Sequence, residues 1–116
     1  MKRGEIYWCD LDPQRGHERG ARRPVVIVSA NPYNDSQSRL IGIVPLTTAM
    51  PKNPVHIKLT TRETGLETDS TALVDHARFL DRTRLGKTAA GRLLPEALSR
   101  LDRNLARVLG LSYPQH

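Results

Sequence analysis

The run Leu40-Ile41-Gly42-Ile43-Val44-Pro45-Leu46 constrains this chain more than any other stretch. Counted with the period of two that a strand imposes, it is apolar on both faces, so it belongs at the centre of a sheet with packing above and below. It ends at Thr47-Thr48, and Ala49-Met50-Pro51-Lys52-Asn53-Pro54 then breaks pairing, because proline cannot donate to a ladder. At 116 residues the chain has room for one such core, so residues 1–116 read as a single domain.

Shorter segments flank that strand. Residues 5–11 predict a first strand closed by the turn signal Asp12-Pro13, and residues 24–29 predict a second. Residues 31–38 are a polar loop. Residues 55–59 alternate cleanly, which predicts a half-exposed strand with His56 in solvent, and residues 60–70 read as a charged loop. Residues 71–80 predict another strand, with Ala72, Val74, His76 and Arg78 on one face and Leu73, Asp75, Ala77 and Phe79 on the other. Residues 85–93 offer a last one. Pro95 suits a first helical position and Glu96 the positive helix N-terminus. Leu98, Leu101, Leu105 and Leu109 then mark one helical face before Gly110. The fold class is α+β, mainly β: a small, strongly curved antiparallel sheet or barrel with one docked C-terminal helix.

The formal net charge is +6, and most of the cations are arginine, whose planar fork of donors suits phosphate oxygens. Cys9 is the only cysteine, so there is no intramolecular disulfide and no cysteine-based metal set; it reads as a small core residue. The N-terminus lacks an apolar signal region and no run approaches transmembrane length, which places the expectation in the cytoplasm. The basic residues concentrate in Gly16-His17-Glu18-Arg19-Gly20-Ala21-Arg22-Arg23-Pro24, directly before the apolar run Val25-Val26-Ile27-Val28. Pro24 pushes Arg23 toward extended geometry at the mouth of that strand. A polar loop anchored on a rigid strand is where sites are commonly built, although composition alone fits a solvated hairpin equally well.

Gly4-Glu5-Ile6-Tyr7-Trp8, Leu11-Asp12-Pro13, Gly16-His17-Glu18, Arg23-Pro24-Val25-Val26, Val44-Pro45-Leu46-Thr47 and Leu94-Pro95-Glu96 stand in the order and spacing of a known family. The chain resembles the MazF/PemK (Kid-like) toxins of bacterial type II toxin–antitoxin systems, from Lys2 to the final helix. That resemblance implies an SH3-like barrel, a homodimer, and a ribonuclease that cuts single-stranded mRNA at short sequences and is neutralised by a MazE-like antitoxin. It also implies cleavage without metal or cofactor, by attack of the ribose 2′-hydroxyl on the adjacent phosphorus. The products are a 2′,3′-cyclic phosphate and a 5′-hydroxyl.

Such a reaction needs a proton acceptor, charge on the phosphorane oxygens and a proton for the leaving oxygen. Arg23 matches the family's active-site arginine and, always protonated, would bind phosphate and stabilise transition-state charge. Thr47 matches the active-site threonine, whose hydroxyl can donate without adding charge; on its own, a threonine there reads as a backbone cap. His17, Glu18 and Asp75 are the candidate proton carriers. Leu73 stands where Kid-like members place an arginine, and this puts a Kid-style acid–base pair on that strand in question.

For RNA contact, the candidates are Arg19, Arg22, Thr48, Arg78, Tyr33 as a stacking ring, and His76, which replaces the family's usual glutamine. By alternation His76 and Arg78 point away from Asp75 unless the strand is bulged or sits at a dimer groove. Of the large aromatics Tyr7, Trp8, Tyr33, Phe79 and Tyr113, most read as core. Two other functions fit the same fold: a non-catalytic RNA-binding module, and a CcdB-like poison of DNA gyrase. The latter depends on a Trp-Gly-Ile tail, whereas this chain ends Gly110-Leu111-Ser112-Tyr113-Pro114-Gln115-His116.

Overall fold

A computed structural model describes residues 1–11 and 22–112 of the chain. The elements follow as β1 (Glu5–Asp10), β2 (Arg22–Ile27), α1 (Asn31–Asn34), β3 (Leu40–Thr47), β4 (Ile57–Leu59), α2 (Thr61–Thr64), β5 (Ser70–Ala72), β6 (Arg78–Asp81), β7 (Gly91–Arg92) and α3 (Pro95–Leu109). All strand pairings are antiparallel, in the order β4-β5-β3-β2-β1-β7, with β6 also on β3. The result is a mainly-β, curled half-barrel closed by one C-terminal helix, as the sequence predicts.

The two-faced character of β3 explains its central place. Val44 and Leu46 join Ile6, Val26, Leu59, Ala72 and Val74 in a core that receives Ala97 and Leu101 of α3. Ile41 and Ile43 face the other way, onto Tyr7, Cys9, Val25, Ile27, Leu80 and Leu85. Helix α3 begins at Pro95 and ends at Gly110, whose φ of 72° is the left-handed value that favours glycine. Polar clamps fix its orientation. Arg3 pairs bidentately with Asp102 and donates from Nε to the Val28 carbonyl at 2.9 Å, while Arg100 reaches Glu63 of α2 at 2.7 Å. Asn104 donates to the Val55 carbonyl at 3.0 Å.

Several expectations are corrected. The strand expected over 71–80 is broken by a 3₁₀ turn at Val74–His76, because the Leu73 N–H bonds the Pro45 carbonyl and the His76 N–H then folds back onto Leu73. Its first part, β5, pairs with the end of β3 and with β4, and its second part, β6, pairs with the beginning of β3. Residues 60–70 contain the one-turn helix α2, held by a reciprocal capping box between Thr60 and Glu63. Residues 31–38 contain α1, in which buried Asn34 donates to the Ser29 carbonyl at 2.8 Å. Only Ile57–Leu59 of residues 55–59 is strand.

The strand expected over 85–93 shrinks to β7 and an isolated Cys9–Leu85 bridge. At Gly91 a Cβ would lie 2.3 Å from the Thr64 carbonyl oxygen, so only glycine lets β7 lie against α2. Leu109 does not join the core; at the end of α3 it is 59% exposed. Trp8 and Phe79 are exposed as well, at 42% and 58%. Phe79 lies across Gly42, its partner on β3, and meets Tyr33 edge to face at 5.7 Å.

Candidate active site

The register of the central strands brings Arg23 and Thr47 to one level. Val25 is paired with Pro45, and Arg23 and Thr47 stand two residues further along β2 and β3. With a period of two they share the face of that pair, just beyond the end of the β2–β3 ladder. On either side the row continues, through Cys9 opposite Arg23 and Thr71 opposite Thr47. Arg23 and Thr47 are both half-buried, and among the described residues no carboxylate pairs with Arg23.

Thr47 caps the backbone and keeps a donor in reserve. Its Oγ1 accepts the Ala49 N–H at 3.3 Å, which occupies a lone pair and leaves the hydroxyl proton free for a ligand. The turn is held from the other side by Thr71, which the sequence reading did not single out. Buried Thr71 donates its hydroxyl to the Ala49 carbonyl at 2.7 Å. Beside the row lies a cleft of about 470 Å³, lined by Trp8, Pro24, Thr47, Thr48, Leu66 and Glu67 among others. Arg22 stacks its guanidinium 6.0 Å from the centre of the exposed Trp8 ring.

Cations gather where the chain enters residues 12–21. Arg78 and Arg84 both donate to the Leu11 carbonyl, at 2.5 and 3.1 Å. Burial pushes the Cys9 thiol up, while the positive charges of Arg84, Arg78 and Arg22 pull it the other way. Arg78 is thus an exposed cation with one arm tied to the backbone. Tyr33 is surface-exposed, its hydroxyl 2.9 Å from Ser38 Oγ. Thr48 is exposed at the cleft rim. His17, Glu18 and Arg19 lie outside the described residues.

Asp75 does not stand opposite His76 and Arg78 as alternation predicts. The 3₁₀ turn brings His76 Nε2 to 3.9 Å from Asp75 Oδ1. His56, expected in solvent, has a side chain only 6% exposed, with Nε2 at 2.8 Å from the same oxygen. The Lys52 N–H donates to His56 Nδ1 at 3.3 Å, which assigns the imidazole proton to Nε2 and directs it at Asp75. Asn53 donates to Asp75 Oδ2 at 3.1 Å and accepts the Val55 and His56 N–H groups. The hydrogen bond from His56, with that from Asn53, holds the Asp75 carboxyl below its ordinary range. At neutral pH Asp75 is therefore an ionised acceptor and cannot be a resting proton donor. The one sequence signal for this cluster is the Asn53-Pro54 turn, which removes His56 from the strand.

The chain and its fold have known relatives. Residues 2–109 match the model of the PemK-like, MazF-like toxins of type II toxin–antitoxin systems. The chain is 37% identical over 116 residues to endoribonuclease MazF9 of Mycobacterium tuberculosis, covering 96% of this chain and 98% of that protein. Among solved structures, a MazE–MazF complex of Deinococcus radiodurans superposes with a TM-score of 0.80 at 29% identity, covering 97% of each chain. A mycobacterial endoribonuclease in complex with its cognate antitoxin superposes with a TM-score of 0.78 at 27% identity, covering 98% of this chain and 99% of that one.

Proposed function

This chain belongs to the PemK-like, MazF-like toxins of type II toxin–antitoxin systems, and we propose how its residues divide the work of an RNA-cleaving toxin that an antitoxin neutralises. It cuts single-stranded RNA at short sequences, as a homodimer in the cytoplasm, without a metal ion. The observation that carries this reading is the placement of Arg23 and Thr47 on one face of neighbouring strands at one level.

In the reaction the 2′-oxygen bonds to the adjacent phosphorus and the bond to the 5′-oxygen breaks. The proton of the 2′-hydroxyl passes to a base, and a proton is returned to the leaving oxygen. Arg23, permanently charged, binds the phosphate and stabilises the charge that grows on the phosphorane oxygens. Thr47 donates its spare hydroxyl proton to the same oxygens. Removing either contact costs on the order of 10²–10³ in rate. Proton transfer falls to His17, Glu18 and Asp75, of which Asp75, held ionised, can only accept. Arg19, Arg22, Thr48, Tyr33, His76 and Arg78 contact the RNA. An acidic, disordered antitoxin tail suits the same basic surface and folds as it binds.

The test is incubation of the purified protein with a long single-stranded RNA in EDTA, followed by mapping of cut sites and ends. Cuts at one recurring short sequence, with cyclic-phosphate and 5′-hydroxyl ends, are expected. Intact RNA that is nevertheless bound tightly would replace cleavage by a binding module.

A further inference from the structure

His56, Asp75 and His76 form a cluster of their own, which shares Asp75 and His76 with the residues proposed for RNA cleavage and contact, and it fits a second chemistry. Each offers one ligand atom, and the three atoms lie within 4.8 Å of one another. The imidazoles meet edge to face, their centres 6.2 Å apart. We propose that these three residues form a binding site for a divalent transition-metal ion of the zinc class.

The donor set carries the choice of ion. Magnesium and calcium select oxygen ligands, whereas two imidazole nitrogens and a carboxylate suit zinc and its neighbours. Ligand atoms around tetrahedral zinc lie about 3.3 Å apart, from bonds of about 2.0 Å. The separations of 2.8 Å from His56 and 3.9 Å from His76 to Asp75 Oδ1 bracket that spacing, so these two pairs need to move by about half an ångström, and the two imidazole ligand atoms, within 4.8 Å of each other, by at most about 1.5 Å.

Two of the ligands are already fixed. The His56 side chain is almost fully buried, and Asp75 is anchored through Oδ2 by Asn53. His76, 58% exposed, is the adjustable third, and its open side leaves the fourth position to water. Loading has one internal cost. The metal takes the Nε2 lone pair of His56, its proton moves to Nδ1, and the Lys52 N–H loses its acceptor. That N–H is exposed and takes water in its place.

The inference does not rest on RNA cleavage, and its test reads binding alone. The background is the full chain carrying His17→Ala and His116→Ala, so that the two histidines outside the described residues cannot supply the signal. The protein is stripped with EDTA, dialysed and titrated with zinc chloride in a calorimeter, with circular dichroism confirming the fold of every variant. One zinc per chain is expected, and His76→Ala and Asp75→Asn should each weaken binding by at least about 10-fold. His76 and Asp75 are exposed enough for both changes to leave the core intact. Absence of zinc uptake in the background protein, or a smaller effect of either substitution, would overturn the site.

Discussion

The buried hydroxyl of Thr71 donates to the backbone carbonyl of Ala49 at 2.7 Å. Thr47, the strand partner of Thr71, accepts the N–H of the same residue. The turn that leaves the central strand is thus gripped from two strands, and the Thr47 side chain is fixed by the grip. Thr71→Val keeps the shape and removes the donor, leaving the Ala49 carbonyl without its partner. Thermal or denaturant unfolding should show a loss of about 1–2 kcal/mol. RNA cleavage should fall by less than in Thr47→Ala, which removes the hydroxyl proposed to donate to the phosphate.

Helix α3 stabilises the sheet through the face that carries Ala97 and Leu101, and Leu109 at its end lies outside that contact. Leu101 is fully buried, whereas Leu109 is 59% exposed. Leu101→Ala should cost about 2–5 kcal/mol in denaturant unfolding, from lost transfer energy and the cavity it leaves. Leu109→Ala should stay within about 0.5 kcal/mol of the parent. Equal effects would mean that the helix docks along its whole length.

Glu63 links acid stability to the docking of α3. The hydrogen bond from Arg100, with those of the Thr60 cap, holds its carboxyl below the ordinary range. A lowered folded value means that the contribution is complete above the ordinary glutamate value of about 4.3, and is lost as pH falls through the folded value. Glu63→Gln should therefore be less stable than the parent near neutrality. The gap between the two unfolding curves should close in the acid range, below about pH 4.

RNA affinity in a variant that cannot cut should fall steeply with salt, because each phosphate neutralised releases counterions. For a single strand the logarithmic slope is about 0.7 per contact. Arg22→Ala should reduce that slope by about one contact and remove the cation from the Trp8 ring. An unchanged slope would take Arg22 out of the interface.

How far this architecture was legible depends on the kind of information each part needs. The centre of the sheet could be read at β3, since apolar residues on both faces have no other place to go. Helix α3 announced itself through Pro95, Gly110 and its leucine spacing. The break in the strand at residues 74–76 was hidden. Val74 is buried whether the chain is extended or turned, so the apolar pattern is the same in both cases. What decides the matter is a backbone bond from Leu73 to Pro45, a contact that no local period encodes.

The His56–Asp75 pair was missed for the related reason that its members lie 19 residues apart and meet only because of that turn. Phe79 looked like core by type, but its ring lies over Gly42 at the surface. That Arg23 and Thr47 belong to one site could be anticipated from the family motifs, and their shared strand face follows from the register just before them.

The central claim is that Arg23 and Thr47 act on the reacting phosphate and do not simply hold RNA. Its most direct measurement compares Arg23→Ala with the parent on one RNA, with single-turnover cleavage and equilibrium binding determined side by side. Cleavage slower by about 10²–10³-fold, with affinity changed by less than about 10-fold, is the expected result. Cleavage and affinity that fall together by the same factor would contradict it, and would leave Arg23 a binding residue only.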